Sequence, residues 1–518
     1  MPAKFVVRRS KAGGAPCAAW ISLAAFAASP TLAVEATGSA STNLFTVVPS
    51  VTLQETITDN YRLGTTDRKA EAITEASAGI RVNSNAGRVK GSLDYTLTAR
   101  VATRDTGAND LHHSLAAQLS AELIDNKAFV DVRASIAPQP ISVFGKRSFG
   151  SSTENSNQAD VLNYSISPYA RGLLGGQVQY EVRLDQSGSF SSASNASNSS
   201  TTSASASLSG GNVSGLFGWS VTATHLVSDF SDGDQTESDR VRAVLTHAFG
   251  AHVTLSLIAG VESNNFAGPD KTSYTNKGLQ VRWIPNQRTS LSALYERRFF
   301  GNAHAVDFAY RTPRTTWAFS DSRDISTTPD RVTRLILGDS YSLFFVQFAS
   351  IEPDPVRRDL LVRAFLAANG INPKSLVTGD FLGSGVTVQR TQTLSFALQG
   401  IRSSLTVRSQ FSNSARVNRL FVGADSLIEG TRVRQRTTSV DYSHRLTPTA
   451  AAGLTLARLQ TSGIFDAQES TLTSLSATWS DMVNARTNVS AGARLVRFSS
   501  ATQPYTERAV FANVRLTF

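Results

Sequence analysis

From Leu44 to Phe518 apolar and polar side chains exchange places at every second position, segment after segment, as they do in strands with one apolar and one wet face. In Gln177–Asp185 the residues Val178, Tyr180, Val182 and Leu184 stand opposite Gln177, Gln179, Glu181, Arg183 and Asp185. Val89–Arg100 sets Leu93, Tyr95 and Leu97 against Lys90, Ser92, Asp94, Thr96 and Thr98. Gln280 and Arg282 alternate with Leu279, Val281 and Trp283, and a nearby segment sets Val306, Phe308 and Tyr310 against Asp307 and Arg311. The final stretch keeps this rhythm to its end. Val510, Ala512, Val514, Leu516 and Phe518 share one face, and Glu507, Asn513, Arg515 and Thr517 the other.

A soluble sandwich alternates in the same way, so the period alone does not choose between two packed sheets and a membrane barrel. Length and punctuation do. The segments exceed the five or six residues of an ordinary strand and suit the ~9 to 11 that a tilted membrane strand needs. Short turns at Asn85–Gly87, Asp125–Lys127, Gly210–Asn212, Pro285–Arg288 and Pro448 alternate with longer polar loops at Asp59–Arg68, Thr103–Asp110, Gly188–Thr202, Ser228–Ser238 and Gly268–Thr272. In outer-membrane barrels the short turns face the periplasm and the long loops face outside. Trp219, Trp283, Trp317, Tyr442 and Trp479 recur near strand ends, where interfacial girdles form. These features predict an all-β protein: a transmembrane antiparallel β-barrel of about 22 strands. Its first strand spans Leu44–Glu55, and its last strand pairs with the first so that neither edge stays open.

Two stretches depart from the rhythm. Gly188–Ser207 is rich in Ser, Ala and Asn and reads as a flexible surface loop. Ile325–Ser384 reads as a long insertion holding a helix, with Asp354 as its cap, Pro355 at its first position, and Leu360, Leu361, Ala364, Phe365 and Ala368 as an apolar stripe before Gly370. Leu343–Phe348, ahead of the helix, is too apolar to lie in water. The insertion is expected to cap the barrel, fold into the lumen, or pack as a long loop.

Composition changes the picture at the N-terminus. Lys4, Arg8, Arg9 and Lys11, the apolar run Ala18–Ala28 and small residues near Ala33 and Ala36 have the order of a secretory signal over residues 1–36, leaving the barrel to 37–518. The general secretory route is the expected one. About ten residues then precede the first strand, too few for a plug domain ahead of it. Cys17 is the only cysteine and lies within the signal, so disulfides and thiol catalysis are excluded from the processed chain. The formal charge of +10 falls to +6 once the stretch up to Ala33, with four basic and no acidic residues, is removed. The remaining Lys and Arg are dispersed, which argues against a nucleic-acid surface. With 41% hydrophobic residues and a slightly negative mean hydropathy, the chain has no room for a bundle of membrane helices.

Candidate chemistry is sparse. His112, His113, His225, His247, His252, His304 and His444 are scattered, the adjacent pair His112–His113 points to opposite faces of a strand, and no phosphate-binding glycine motif is present. No catalytic, cofactor or metal residue is assigned. Glu181, Arg183, Arg240, Arg242, Arg282, Asp307, Arg311, Arg494 and Arg515 share the polar parity and are the candidates for lining a lumen. Leu516 and Phe518 are the candidate assembly signal, although Asn513 and Phe511 depart from its usual pattern. Two functions fit: a pore or export component, and a structural or assembly protein without transport. Outer-membrane lipid and the barrel assembly machinery are the expected partners, with a polysaccharide or its export components on the first reading.

Val48, Pro49, Ser50, Val51, Leu53, Glu55 and Asp59–Asn60, then Leu93–Asp94–Tyr95, resemble the opening strand and loop and the third strand of a family of outer-membrane β-barrel proteins associated with PEP-CTERM and exosortase systems. Tyr341, Leu343, Phe344, Asp354–Pro355, Arg358 and Ala367–Ala368–Asn369–Gly370 resemble that family's internal helical insertion. The resemblance implies an outer-membrane location and a link to exopolysaccharide production. It implies no reaction.

Deleting Phe518 is expected to lower, without abolishing, the amount of heat-modifiable protein in outer membranes. An unchanged amount would remove the terminal stretch as an assembly signal.

Overall fold

The computed structural model describes residues 45–518 apart from 86, 105–109, 149–152, 194–197, 212–214, 232–234, 418–431, 465–467 and all but seven residues of 327–384. The signal segment and Cys17 lie outside the described residues. The strands begin with β1 Phe45–Thr58, β2 Glu71–Ser84, β3 Val89–Ala102, β4 Asp110–Ile124, β5 Ala128–Pro140, β6 Gln158–Leu174 and β7 Val178–Ser191. Next come β8 Ser199–Gly211, β9 Phe217–Phe230, β10 Thr236–Phe249, β11 Val253–Asn264, β12 Thr272–Asn286, β13 Thr289–Arg298, β14 Gly301–Arg311 and β15 Thr315–Ser326. The set ends with β16 Thr387–Gln399, β17 Ser403–Arg416, β18 Arg432–Arg445, β19 Ala450–Ser462, β20 Ser470–Asn484, β21 Thr487–Ser500 and β22 Tyr505–Thr517.

Each strand is antiparallel to the next, and β22 returns to β1 from Ser50 opposite Thr517 to Thr58 opposite Ala509. The sheet is therefore a closed barrel of 22 strands. Phe518 extends this seam, its amide donating to the Pro49 carbonyl at 3.0 Å. Asn126, in the turn between β4 and β5, adopts φ 57°, a left-handed conformation asparagine tolerates.

Register sorts the two faces. Tyr180 pairs with Leu208 and Val182 with Ala206, and this row continues through Val221, Ala243 and Ala259. Val182, Leu208, Val221, Leu245 and Leu257 are all exposed, so this is the outer face. Glu181 and Arg183 alternate with that row and face inward. Trp219, Trp283, Trp317, Tyr442 and Trp479 lie on the outer face near the short-turn ends, each 40–43% exposed, and mark one interfacial level. A closed barrel with an apolar exterior leaves no backbone edge unpaired in lipid, and the protein is an outer-membrane barrel.

Two expectations are corrected. Gly188–Ser207 is not a surface loop: Gly188–Ser191 ends β7 and Ser199 begins β8. The Ser and Ala residues still alternate, with Ala204 and Ala206 on the outer face, and 22-strand closure supplies the hydrogen bonds that such short side chains need no help to form. Gly188 lies opposite Tyr164, whose ring would stand 2.6 Å from a Cβ there, so the glycine admits an aromatic cover. The insertion is also shorter than expected, because Ile325 and Ser326 complete β15.

Val182→Arg is expected to impair folding into lipid by about 2–4 kcal/mol, while Glu181→Arg leaves the folded yield near that of the parent. Equal yields of the two variants in lipid vesicles would contradict the register.

Candidate functional site

Because period two leaves every second side chain inside, the interior is a wall of polar and charged groups whose partners lie one to three strands away. All nine predicted lining residues sit on this inner parity. They do not form one site. Arg183 binds Glu181 at 3.1 Å and Asp131 at 3.3 Å, and its guanidinium lies over the Tyr169 ring at 3.9 Å. Arg240 and Arg242 converge on the buried Glu296 at 2.5 and 3.2 Å. Arg494 binds the fully buried Glu507 at 2.7 Å, and Thr58 of β1 donates to the same carboxylate at 3.1 Å. Arg311 donates instead to the Gln287 carbonyl at 2.8 Å.

Several wall residues escaped the sequence reading. Arg298 links Glu262 at 2.7 Å to Asp324 at 2.5 Å and continues the Arg240–Arg242–Glu296 group around a cavity of about 330 Å³. Their signal was present as polar parity on β11, β13 and β15. Only register, however, shows that Glu262 and Asp324 flank one arginine.

The extracellular mouth is crowded by its own loops. Between β1 and β2, Asn60 accepts from the Gly64 amide at 2.8 Å and donates to the Gly64 and Thr506 carbonyls, holding the loop folded inward. Leu63, at φ 52°, then packs with Leu459, Leu472, Val496, Phe498 and Tyr505 on the inner wall. The loop between β5 and β6 reaches farther. Val143 packs on Val433 of β18, Tyr505 of β22 donates to the Arg147 carbonyl, and the Glu154 amide donates to the Tyr61 carbonyl at 3.1 Å. One loop thus bridges strands well separated around the ring.

The insertion goes deeper. Its seven described residues, Tyr341, Phe344, Phe345, Phe348, Arg358, Val362 and Leu366, are helical. Phe344, Phe348, Val362 and Leu366 pack against Ala397, two residues from the short-turn end of β16. Ala397 pairs with Thr316 and Thr406, both fully buried, whereas the neighbouring outward pair Trp317 and Phe396 keeps Trp317 exposed. A segment that leaves the barrel at its extracellular end therefore touches the inner wall near its periplasmic end. Among the described residues Val362 and Leu366 form the buried side of the helix, and Arg358 lies over the Phe345 ring at 4.7 Å. Leu360, Leu361, Ala364, Phe365 and Ala368 lie outside the described residues.

The histidines serve other ends. His113, His225, His247, His304 and His444 lie on the outer parity, where no solute in the lumen meets them. His444 accepts or donates to Ser403 at 2.8 Å, and among the described residues no histidine joins both a hydroxyl and a carboxylate in a relay. His225, Glu237 and Asp239 bring three ligand atoms within 4.8 Å of one another. Lys271 already supplies the cation there, at 2.5 Å from Glu237 and 2.6 Å from Asp239, and hydrogen bonds to Asp239 and then Glu237 raise its pKa above the ordinary lysine value.

No family model matches the chain, and no curated protein matches it. Among solved structures it is similar to the siderophore receptor PirA from Pseudomonas aeruginosa, at 9% identity and a TM-score of 0.44 over 91% of this chain and 80% of that one. The FrpB iron transporter from Neisseria meningitidis, F3-3 variant, gives 11% identity and 0.47 over 91% and 81%. OccK2 (OpdF) from Pseudomonas aeruginosa gives 9% and 0.35 over 91% and 98%. At such identities and scores the likeness carries nothing about cargo.

Glu296→Ala strips the shared partner from Arg240 and Arg242 and is expected to destabilise the barrel by on the order of 2 kcal/mol. That lies below the ~3–5 kcal/mol of a dry pair, because both arginines keep contact with lumen water. Urea unfolding in lipid vesicles measures this, and adding Arg242→Met to Glu296→Ala should recover part of the loss.

Proposed function

We propose that the protein is an outer-membrane pore or export component whose passage is restricted by its own inserted segment. The observation that carries this reading is the packing of Phe344, Phe348, Val362 and Leu366 onto Ala397 deep inside the wall. Twenty-two strands spaced about 4.8 Å apart and tilted about 40° enclose a ring roughly 40 Å across, which unfilled would leak most solutes. The inward loops at the mouth narrow the same passage from the other end. Nine of the inward charged residues, seven of them arginine, line it beside carboxylates such as Glu262, Glu296 and Asp324, and this wall of paired charges suits a heavily hydroxylated cargo. The family resemblance supplies the pathway of this proposal, export linked to exopolysaccharide or PEP-CTERM surface systems.

Conductance across planar bilayers tests the reading. Replacing residues 329–382 by a short Gly/Ser loop is expected to raise single-channel conductance severalfold while the barrel inserts normally, since shortening a connection between strands changes little chain entropy. Parental conductance in the shortened protein would refute the restriction. Absence of current from both forms would favour the structural alternative.

A further inference from the structure

The exterior of β18–β22 departs from the apolar rule at one level only. On β18 the outward row runs from the girdle residue Tyr442 through Val440 and Thr438 to Arg436, Arg434 and Arg432. On β19 it runs through Leu454 and Leu456 to Arg458, on β21 through Leu495 to Arg497, and on β22 through Leu516, Val514, Ala512 and Val510 to Arg508. All six arginines are exposed. From Leu516 to Arg508 the strand climbs eight residues, which at about 3.3 Å per residue and about 40° of tilt is roughly 20 Å of a band about 25 Å tall. The guanidinium row thus begins where lipid tails give way to outer-leaflet head groups.

The row is continuous across the sheet. Arg436 pairs with Gln460 and Arg458 with Thr438, so these two arginines are diagonal neighbours, about 7–8 Å apart. Thr473 lies between Arg458 and Arg497, and Arg497 and Arg508 are again diagonal, through Thr506 and Leu495. Among the described residues none of the six arginines is in an ion pair, although Glu469 is exposed just before β20. Elsewhere on the exterior, basic residues at this level are fewer, with Lys277 and Arg297 forming a single facing pair on β12 and β13. Arg390 is bound twice by Asp321, at 3.0 and 2.6 Å, and Arg323 donates to the Asn302 and Phe300 carbonyls. Across the barrel the same level is acidic, with Glu237 and Asp239 held by Lys271.

We propose that Arg434, Arg436, Arg458, Arg497 and Arg508 form a docking site for the phosphorylated head group of an outer-leaflet glycolipid, whose acyl chains lie on Leu454, Leu456, Leu495 and Val510. Guanidinium forks grip phosphate oxygens two at a time, and their stems lie along apolar surface while the charge stays at the interface. The free guanidinium row, the apolar strip directly beneath it and its confinement to one arc of the barrel match one amphiphile with phosphate above and tails below. Scattered snorkelling residues would not cluster on one arc.

The test uses the full-length protein in neutral detergent, titrated with bis-phosphorylated lipid A, the same lipid without phosphates, phosphatidylglycerol, or inorganic phosphate. The readout is the midpoint of heat-induced barrel unfolding. Bis-phosphorylated lipid A is expected to raise the midpoint, and the other three to leave it within error. The variant Arg434→Gln, Arg436→Gln, Arg458→Gln, Arg497→Gln should need at least tenfold more lipid for half the rise. If this variant does not fold, the pair Arg458→Gln, Arg497→Gln serves with a smaller shift. Lys277→Gln, Arg297→Gln, on the outer face of β12 and β13, should respond as the parent does. An equal rise in the arginine variants, with the phosphate-free lipid or with phosphatidylglycerol would overturn the site. A rise with inorganic phosphate alone would reduce it to a free-anion site and overturn lipid docking.

Discussion

Every amide and carbonyl facing hydrocarbon must find its partner within the chain, and in this molecule the pairing of β22 with β1 removes the last two edges at which that would fail. The seam is built to last on its inner side. Thr58 from β1, Arg494 from β21 and Glu507 from β22 share one carboxylate, and the Arg508 amide donates to Asp59 at 2.7 Å just beyond β1. Phe511, which breaks the usual terminal pattern, faces inward and covers Gly492, where a Cβ would stand 2.5 Å from its ring. Closure thus fixes parity for all 22 strands at once, and parity decides which side chains meet lipid and which meet water.

A ring of this size creates a second constraint, since the wall alone does not fill its interior. The inner face meets it in layers. Ion pairs such as Arg298 with Glu262 and Asp324 reach from β13 to β11 and β15, over the strands between, and hold arginines against the wall. Above them, Leu63 and Val143 bring two loops inward, and below them the insertion covers Ala397. Among the described residues the apolar clusters inside include a residue from a loop or from the insertion, as Leu63, Val143 and Phe344 show, while the wall between them buries many Ser and Thr side chains.

The strands and their faces were legible in the sequence because period two is local: Val182 beside Glu181 announces its side without any knowledge of neighbours. Turn positions were less so. Gly210 and Gly211, read as a turn, belong to β8, and Gly188 was read as loop because small residues weaken the alternation that marks a strand. Contacts between distant segments were not legible at all. Nothing near Leu63 foretells Phe498, and nothing near Val362 and Leu366 foretells Ala397. The inward charges could be picked out singly, yet Glu296 and Glu262 were passed over, because a carboxylate declares its partner only once register places the arginine beside it.

The exterior arginines show the same limit from the lipid side. In β19, Leu454, Leu456 and Arg458 alternate as one strand with a charge at its end, which a strand leaving the membrane requires and which singles out nothing. Repeated in β18, β21 and β22 at matching height, the charge becomes a row, and it stands opposite the aromatic level of Tyr442 and Trp479. The two rims of this arc are therefore chemically different: aromatic rings settle the periplasmic side into a generic interface, while unpaired guanidinium groups make the outer side discriminate among head groups. A barrel seated this way is held at a set depth on one arc, and the wall that the insertion covers at Ala397 lies on β16, separated from that arc by β17 alone, so lipid contact outside and loop contact inside bear on nearby strands.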